Sequence, residues 1–358
     1  MARMEFGLQF FPSVGPDQRA PADYFRDCLA LCEAADGLGY THARTVEHYF
    51  TRYGGYSPNP IVFLSAAAAR TKKLRIVTGA VLPAFNNPLK TAGELGMLDA
   101  ISEGRLDIGF ARAFLPHEFR RFGISPDESV ERFREGVEQI DLLLREENVT
   151  HHGKFHDIVE TTSMPRPTQK PRPKFYVAAT VNEESFAFAG RMGYSVMAIP
   201  MAGPTMKPIL DAYRNAWRQA GHPGNGEIML AFHMFVDRDG QRARRLAKPR
   251  IESYLSAIVE ASSDWIKGTS SKDYPGYDKM VYKLQAETFE TQVESGSAWV
   301  GTPEEVRATI ARIQDEYGGF DHASMQVNFF DLSLDDALPS LELFADEVIP
   351  HFVPAAVK

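Results

Sequence analysis

Apolar positions along this chain alternate between two periods, and the alternation is regular enough to predict an element order. Residues 4–11 form a short apolar run, and residues 22–38 then place Phe25, Cys28, Leu29 and Cys32 at helical spacing before Gly37 and Gly39. The pattern repeats. Strands are predicted at 40–46, 74–82, 106–111, 175–180, 195–199, 228–236 and 323–329, with helices at 60–70, 88–101, 183–192, 204–220, 239–261 and 333–349. The clearest helix follows Ser125-Pro126-Asp127-Glu128, which reads as a capping box with proline at the first helical position. Val130, Phe133, Val137, Ile140 and Leu144 then mark one apolar stripe. A second capping box, Thr302-Pro303-Glu304-Glu305, opens another helix.

Two stretches interrupt the series. Residues 149–173 read as an inserted hairpin followed by a proline-rich connector, and residues 262–298 carry glycine, serine and proline without a clear period. The second is long enough to act as a lid over a site. Eight strands separated by helices, with no hairpin in the main series, predict a (β/α)8 TIM barrel spanning 1–358 as a single domain. A doubly wound open sheet is the competing architecture. It ordinarily carries a glycine-rich phosphate fingerprint after the first strand, and Phe11-Pro12-Ser13-Val14-Gly15 is not one.

Charge and composition narrow the function classes. The chain of 358 residues has a net charge of −8 and no extended basic run, which argues against a nucleic-acid partner. No window is apolar for long enough to span a membrane and no signal peptide is visible, so a cytoplasmic protein is expected. Cys28 and Cys32 lie four apart on one predicted helix face and read as buried thiols.

In a barrel of this kind chemistry collects at the carboxyl ends of the strands. That face would gather Glu47 and His48 after the second strand, residues 83–87 after the third, Arg112 after the fourth, Thr180 and Asn182 after the fifth, and Pro200 and Met201 after the sixth. Histidine suits proton transfer near neutral pH, whereas a capped strand end facing water would look the same in sequence. Thr180, Asn182 and Ser185 around a helix start could hold an anion, with Arg112 as its cation; an ordinary N-cap by Asn182 is the alternative. His151, His152 and His156 lie in the hairpin, away from this face and without further ligands at zinc spacing, so no metal is expected. No Gly-x-Ser-x-Gly elbow is present, and only Glu47 is a confident carboxylate on the face. Cofactor chemistry fits these absences.

Taken in order, the motifs resemble the bacterial luciferase-like flavin monooxygenases over essentially the whole chain. Glu47-His48-Tyr49-Phe50 is similar to that family's Glu-His-His-Phe segment, and residues 78–83 with Asn87-Pro88 to its third-strand signature. Ser102 to Leu106, Gly109 to Arg112, residues 119–123, Gly301-Thr302-Pro303-Glu304-Glu305 and Gln326-Val327-Asn328 continue the likeness. The resemblance implies a barrel that binds reduced FMN, reacts it with O2 through a C4a-hydroperoxyflavin, and oxygenates an aldehyde, ketone or natural-product intermediate. Hydroxylation and Baeyer–Villiger insertion are both compatible, and a deazaflavin-dependent oxidoreductase or a non-catalytic flavin-binding protein are the alternatives. A flavin reductase would supply the cofactor, the substrate would be a small or carrier-bound organic molecule, and a homodimer is expected.

Matching positions assign His48 to proton transfer with Glu47 as its support. Arg112, Thr180, Asn182 and Ser185 would hold the FMN phosphate, and Thr78-Gly79 would form a cis peptide beneath the ring. Apart from these matches, Phe10, Phe50, Phe85, Phe110 and Phe114 near strand ends could form a dry wall, with Phe10, Phe50, Phe114 and His117 on the substrate side; filling of the barrel core by some of the phenylalanines, and a surface-loop position for His117 and Glu118 in place of substrate binding, are the alternatives. Ala111 stands where luciferases have a reactive cysteine, so light emission is not implied, and Asn86 replaces a usual histidine. The flanking Phe114-Leu115-Pro116-His117-Glu118 looks most like family members in natural-product tailoring.

Overall fold

Side chains alternate across a strand, and β1 (Glu5–Phe10) uses the alternation to separate two environments. Phe6 and Phe10 point outward, where they meet Phe344 and Phe63 with ring centroids 5.4 Å away in both cases. Gly7 and Gln9 point inward. The computed structural model describes residues 4–180, 182–200 and 205–353.

The order continues with α1 (Pro21–Gly37), β2 (His42–Thr45), α2 (Pro60–Arg70), β3 (Arg75–Thr78), α3 (Pro88–Ile101), β4 (Leu106–Ala111), α4 (Pro116–Phe122) and α5 (Ser129–Arg145). A hairpin of β5 (Val149–His152) and β6 (Asp157–Thr161) precedes β7 (Lys174–Ala179), α6 (Glu183–Arg191), β8 (Ser195–Ala198) and α7 (Met206–Gln219). Then come β9 (Ile228–Val236), α8 (Gly240–Ser262), α9 (Tyr277–Ala286), α10 (Phe289–Ser295), β10 (Ala298–Gly301), α11 (Pro303–Glu316), β11 (His322–Gln326) and α12 (Leu334–Glu347).

Eight parallel strands close in the order β1, β2, β3, β4, β7, β8, β9, β11 and back to β1, which is a (β/α)8 barrel. Its outer layer of helices buries the main apolar core against the strands. Close approach inside the barrel depends on glycine. A Cβ on Gly79 would fall 2.3 Å from the Arg44 side chain, and one on Gly109 would fall 2.2 Å from the Thr78 carbonyl oxygen.

Several details differ from the sequence reading. A short parallel strand, β10, pairs with the far half of β9, from Ala298↔His233 to Gly301↔Val236, beyond the point where β8 leaves it. Four residues are too few to show a period, so the pattern missed it. The segment before it is largely helical, holding α9 and α10 after a 3-10 turn at Ser263–Ile266. At the start of α5, Ser125 caps only a 3-10 turn, without the reciprocal glutamate bond. The carboxylate serving α5 is Asp273, which accepts from the Val130 N–H at 3.0 Å and comes from the far side of the chain. Thr302 and Glu305 do form the reciprocal box. The predicted helix start at Pro204, and Met201 before it, lie outside the described residues.

At the amino-terminal end of the barrel, His322 sits between Glu227 (3.1 Å) and Glu5 (3.4 Å), and Lys174 and the Tyr176 hydroxyl also reach Glu227. The two carboxylates push the His322 imidazole up to about 9, and His322 and Lys174 hold Glu227 down at about 2. Among the described residues, no helix is long and apolar enough to cross a membrane.

Candidate functional site

The carboxyl ends of β2, β3, β4, β7 and β8 surround a cavity of about 900 Å³, including its part open to solvent. Parallel pairing fixes who stands beside whom. Ala111 of β4 is in register with Ala178 of β7, so the strand ends carrying Arg112 and Thr180 emerge next to each other. Both line the cavity, with Asn182 and Ser185 at the start of α6, where the Asn182 side chain caps the helix by accepting from the Glu184 N–H at 2.9 Å. Arg112 lies over the Tyr274 ring, 4.4 Å from its centroid, and has no carboxylate within salt-bridge distance among the described residues. A cation with a stacking partner and no counter-ion is suited to an anionic ligand group.

His48 stands across the cavity, packed against Phe11, Tyr53 and Phe114 at centroid separations of 5.7, 5.1 and 5.9 Å. Its Nδ1 is 3.1 Å from Glu118 Oε1, which also accepts from the Tyr49 N–H at 2.9 Å. A carboxylate only accepts, so Nδ1 donates; in the neutral ring Nε2 is then the basic nitrogen, with no protein partner among the described residues. Glu118 Oε2 is buried and without a partner among the described residues. The sequence reading gave the supporting role to Glu47, and geometry reassigns it. Glu47 accepts from the Tyr49 hydroxyl, the Leu82 N–H (3.0 Å) and the Asn86 amide (2.8 Å), and does not contact the histidine. Both residues lie just beyond the end of β2 and both line the cavity, but its donors hold the Glu47 carboxylate toward Leu82 and Asn86. Burial pushes Glu47 up to about 7 against the lowering effect of its three donors.

Other predicted residues are placed elsewhere. Phe10 points into the helix layer for the alternation reason given above, and Phe110 likewise packs on Phe175 at 4.9 Å. Phe50 is 54 % exposed at a left-handed turn (φ 69°), against Phe122 and Arg121 outside the cavity. Phe85 stacks on Phe122 in the same outer aromatic group. His117 is buried on α4 with its ring nitrogens 3.2 Å from the Ala261 and Tyr49 carbonyl oxygens, which makes it a tie between elements. Thr78 turns toward β4, where its hydroxyl donates to Gly109 O and accepts from Gly109 N. The cis peptide is Gly79–Ala80, one bond later than expected, and the Gly79 N–H continues the ladder to Thr45 O at 2.7 Å. Phe114 and Gly79 do line the cavity.

The sequence reading missed Glu118 as the histidine's partner, and also Arg44, Phe11, Tyr53 and Tyr277 in the cavity wall. Period-two alternation along Arg44, Val46 and His48 was the available signal for Arg44. Tyr277 begins α9, whose preceding turn is fastened over the barrel mouth. There the Trp265 indole donates to Phe114 O at 2.9 Å, and the Tyr274 hydroxyl donates to Ala113 O. Trp265, Tyr274, Tyr277 and Val281 close an apolar group with Leu82, Ala113 and Phe119. The hairpin histidines each meet a different carboxylate, His151 with Glu138, His152 with Asp157 and His156 with Glu135.

A family profile described as luciferase-like monooxygenase matches residues 4–320. Among curated proteins, the chain is 29% identical to the oxygenase component of a flavin-dependent trigonelline monooxygenase from Acinetobacter baylyi, covering 99% of this chain and 97% of that one. Among solved structures, the monooxygenase RslO1 from Streptomyces bottropensis is 41% identical with a TM-score of 0.87, covering 98% of this chain and 100% of that one. The oxygenating constituent of 3,6-diketocamphane monooxygenase from Pseudomonas putida, solved with FMN, shares the fold at 23% identity and a TM-score of 0.82, over 98% and 100% of the two chains.

Proposed function

The chain belongs to the luciferase-like monooxygenase family, and from that premise we propose that its cavity binds reduced FMN and that it is the oxygenase component of a two-component system fed by a separate flavin reductase. The observation that carries this reading is the pairing, across one cavity, of Arg112 beside the α6 start, without a carboxylate partner among the described residues, with a His48–Glu118 dyad in an aromatic wall. The residues present fit the cofactor: a guanidinium without a carboxylate partner among the described residues and the Thr180 and Ser185 hydroxyls for a phosphate, and Phe11, Leu82, Phe114, Met197, Ile199 and Tyr277 for a planar apolar ring.

When bound, reduced flavin supplies two electrons and the site of O2 activation, so that one oxygen atom enters an organic substrate and the other leaves as water. Everything else falls to the chain. Arg112 holds the phosphate as a charge-assisted donor, with Thr180 and Ser185 adding hydroxyls. Glu118 fixes the His48 ring and tautomer, leaving Nε2 to take or deliver a proton inside the cavity. Phe11, Phe114 and Tyr277 keep water from the reacting atoms. Glu47 braces the chain after β3 by holding the Leu82 N–H, the Asn86 amide and the Tyr49 hydroxyl together.

Anaerobic titration with dithionite-reduced FMN, reduced riboflavin and a reduced deazaflavin tests the reading. Reduced FMN is expected to bind at least tenfold more tightly than riboflavin, which lacks the phosphate, and the gap is expected to close in Arg112→Met. Absence of reduced-FMN binding, or a clear preference for the deazaflavin, would overturn it.

A further inference from the structure

Besides Arg112, a second guanidinium faces the same cavity without a counter-ion, and it comes from the floor rather than the rim. Arg44 projects inward from β2, is only 5% exposed, and lines the cavity between Gln9, Gly79 and Met197. Its one hydrogen-bond contact among the described residues is a weak one, from Nη1 to the Met229 sulfur at 3.7 Å, and its Nε has no partner. No carboxylate among the described residues lies within salt-bridge distance. The charged or titratable groups facing it are the Tyr254 phenol of α8 and, two residues back on its own strand, His42, which burial keeps neutral. Gly79 gives it room, since any side chain there would collide with the Arg44 stem.

Leaving a buried cation unpaired costs several kcal/mol, because the group loses water and gains no partner. A surface arginine needs no explanation, and a structural buried one has acceptors around it. Arg44 has neither excuse. The cavity thus presents two guanidinium groups without a carboxylate partner among the described residues, one at the rim and one at the floor, and asks for a ligand with negative charge at both ends. Oxidised FMN meets only the first demand, since its ring is neutral. The two-electron-reduced ring loses its N1 proton near neutral pH and meets the second, and charge beside N1 is a recognised means by which proteins set flavin electronics.

We infer that Arg44, unpaired in the cavity floor, is the residue that would make this site select the anionic reduced form of the flavin. The inference rests on the flavin reading of the cavity. Selection of this kind suits an oxygenase that receives its cofactor already reduced, because spent oxidised FMN is then released and does not block the next turnover.

The test compares oxidised and dithionite-reduced FMN binding, under anaerobic conditions, in the wild type, Arg44→Met, Arg44→Lys and Arg112→Met. The wild type is expected to favour reduced FMN by at least tenfold. Arg44→Met should lose ten- to hundredfold in affinity for reduced FMN and less than threefold for the oxidised form, and Arg44→Lys should keep most of the preference. Arg112→Met should weaken both forms together. Equal loss of both forms in Arg44→Met, or no loss, overturns the role of Arg44 while leaving the flavin site intact; failure of the wild type to bind either form overturns the underlying reading. A second readout needs no variant. Ultraviolet absorbance of the bound reduced flavin should stay that of the anion at pH 5.5, where free reduced FMN is neutral, and a neutral spectrum there overturns the inference.

Discussion

The ion cluster at the base of the barrel supplies a pH dependence whose sign and size follow from the structure. His322 is raised from 6.5 to about 9 by Glu227 and Glu5, against burial that acts the other way. A raised folded-state value means that the native protein holds this proton more tightly than the unfolded chain. The stabilisation is therefore complete below pH 6.5 and is lost as pH rises through about 9. The shift corresponds to about 3 kcal/mol. Glu227, lowered from 4.5 to about 2, describes the same contact from the other partner and adds nothing to that figure. Its carboxylate is 37% exposed, so solvent screening reduces the expected stabilisation to about 2 kcal/mol.

Replacing His322 with glutamine keeps a donor for one carboxylate and removes the titration. Unfolding entropy scales with chain length at about 2.1 cal/mol/K per residue, so for this chain ~2 kcal/mol moves Tm by about 3 °C. Differential scanning calorimetry of both proteins from pH 5 to 9.5 measures the difference in Tm. That difference should be constant below pH 6.5 and should shrink by about 3 °C by pH 9.5. Glu47, raised to about 7, titrates in both proteins and cancels from the comparison. Parallel Tm curves across the whole range would refute the assignment of that stabilisation to His322.

Other substitutions probe the upper face. Glu118→Gln leaves an acceptor for the Tyr49 N–H but places an amide where the unpartnered Oε2 now lies; product formation coupled to a flavin reductase should fall about 10–100-fold, with an altered pH–rate profile and reduced-FMN affinity within a fewfold of wild type. A normal rate and pH profile would show that the dyad is not used. Arg44→Met replaces an unpaired buried cation by a well-packing apolar chain, so the flavin-free protein should melt higher, by about 1–4 kcal/mol of stability; a lower melting temperature by calorimetry would mean that Arg44 has acceptors in the folded chain after all. Asp273→Ala removes the carboxylate that accepts from the Val130 N–H at the start of α5 and should cost about 1 kcal/mol. Because Tyr274 is its neighbour, faster proteolysis near residues 262–276 should accompany the loss, and unchanged proteolysis would count against a fastening role.

The barrel was legible because its signal is repetitive. Each strand and helix contributes an apolar period, and an error of a few residues at one end does not alter the count of alternations. What escaped lies where an element is too short to show a period or is held by distant partners. Strand β10 has four residues, α4 has seven, and the start of α5 takes its carboxylate from a residue 143 positions away. No local pattern encodes such a bond.

Site residues divide along the same line. Arg112, Thr180, Asn182 and Ser185 were readable because strand-to-helix junctions stand at fixed places in the repeat, and the repeat itself carries them to one face. The phenylalanines were not, because side-chain direction within a strand depends on which residue starts the alternation. A shift of one position sends Phe10 outward and Phe11 into the cavity. Glu118 was hidden for a third reason. Its sequence neighbours are those of a surface helix, and only the closure of the barrel brings α4 over the end of β2, where a carboxylate 70 positions from His48 takes the place that adjacency had suggested for Glu47. The partner of His48 is therefore supplied by a separate helix that the fold carries to it, and not by the next position along the chain.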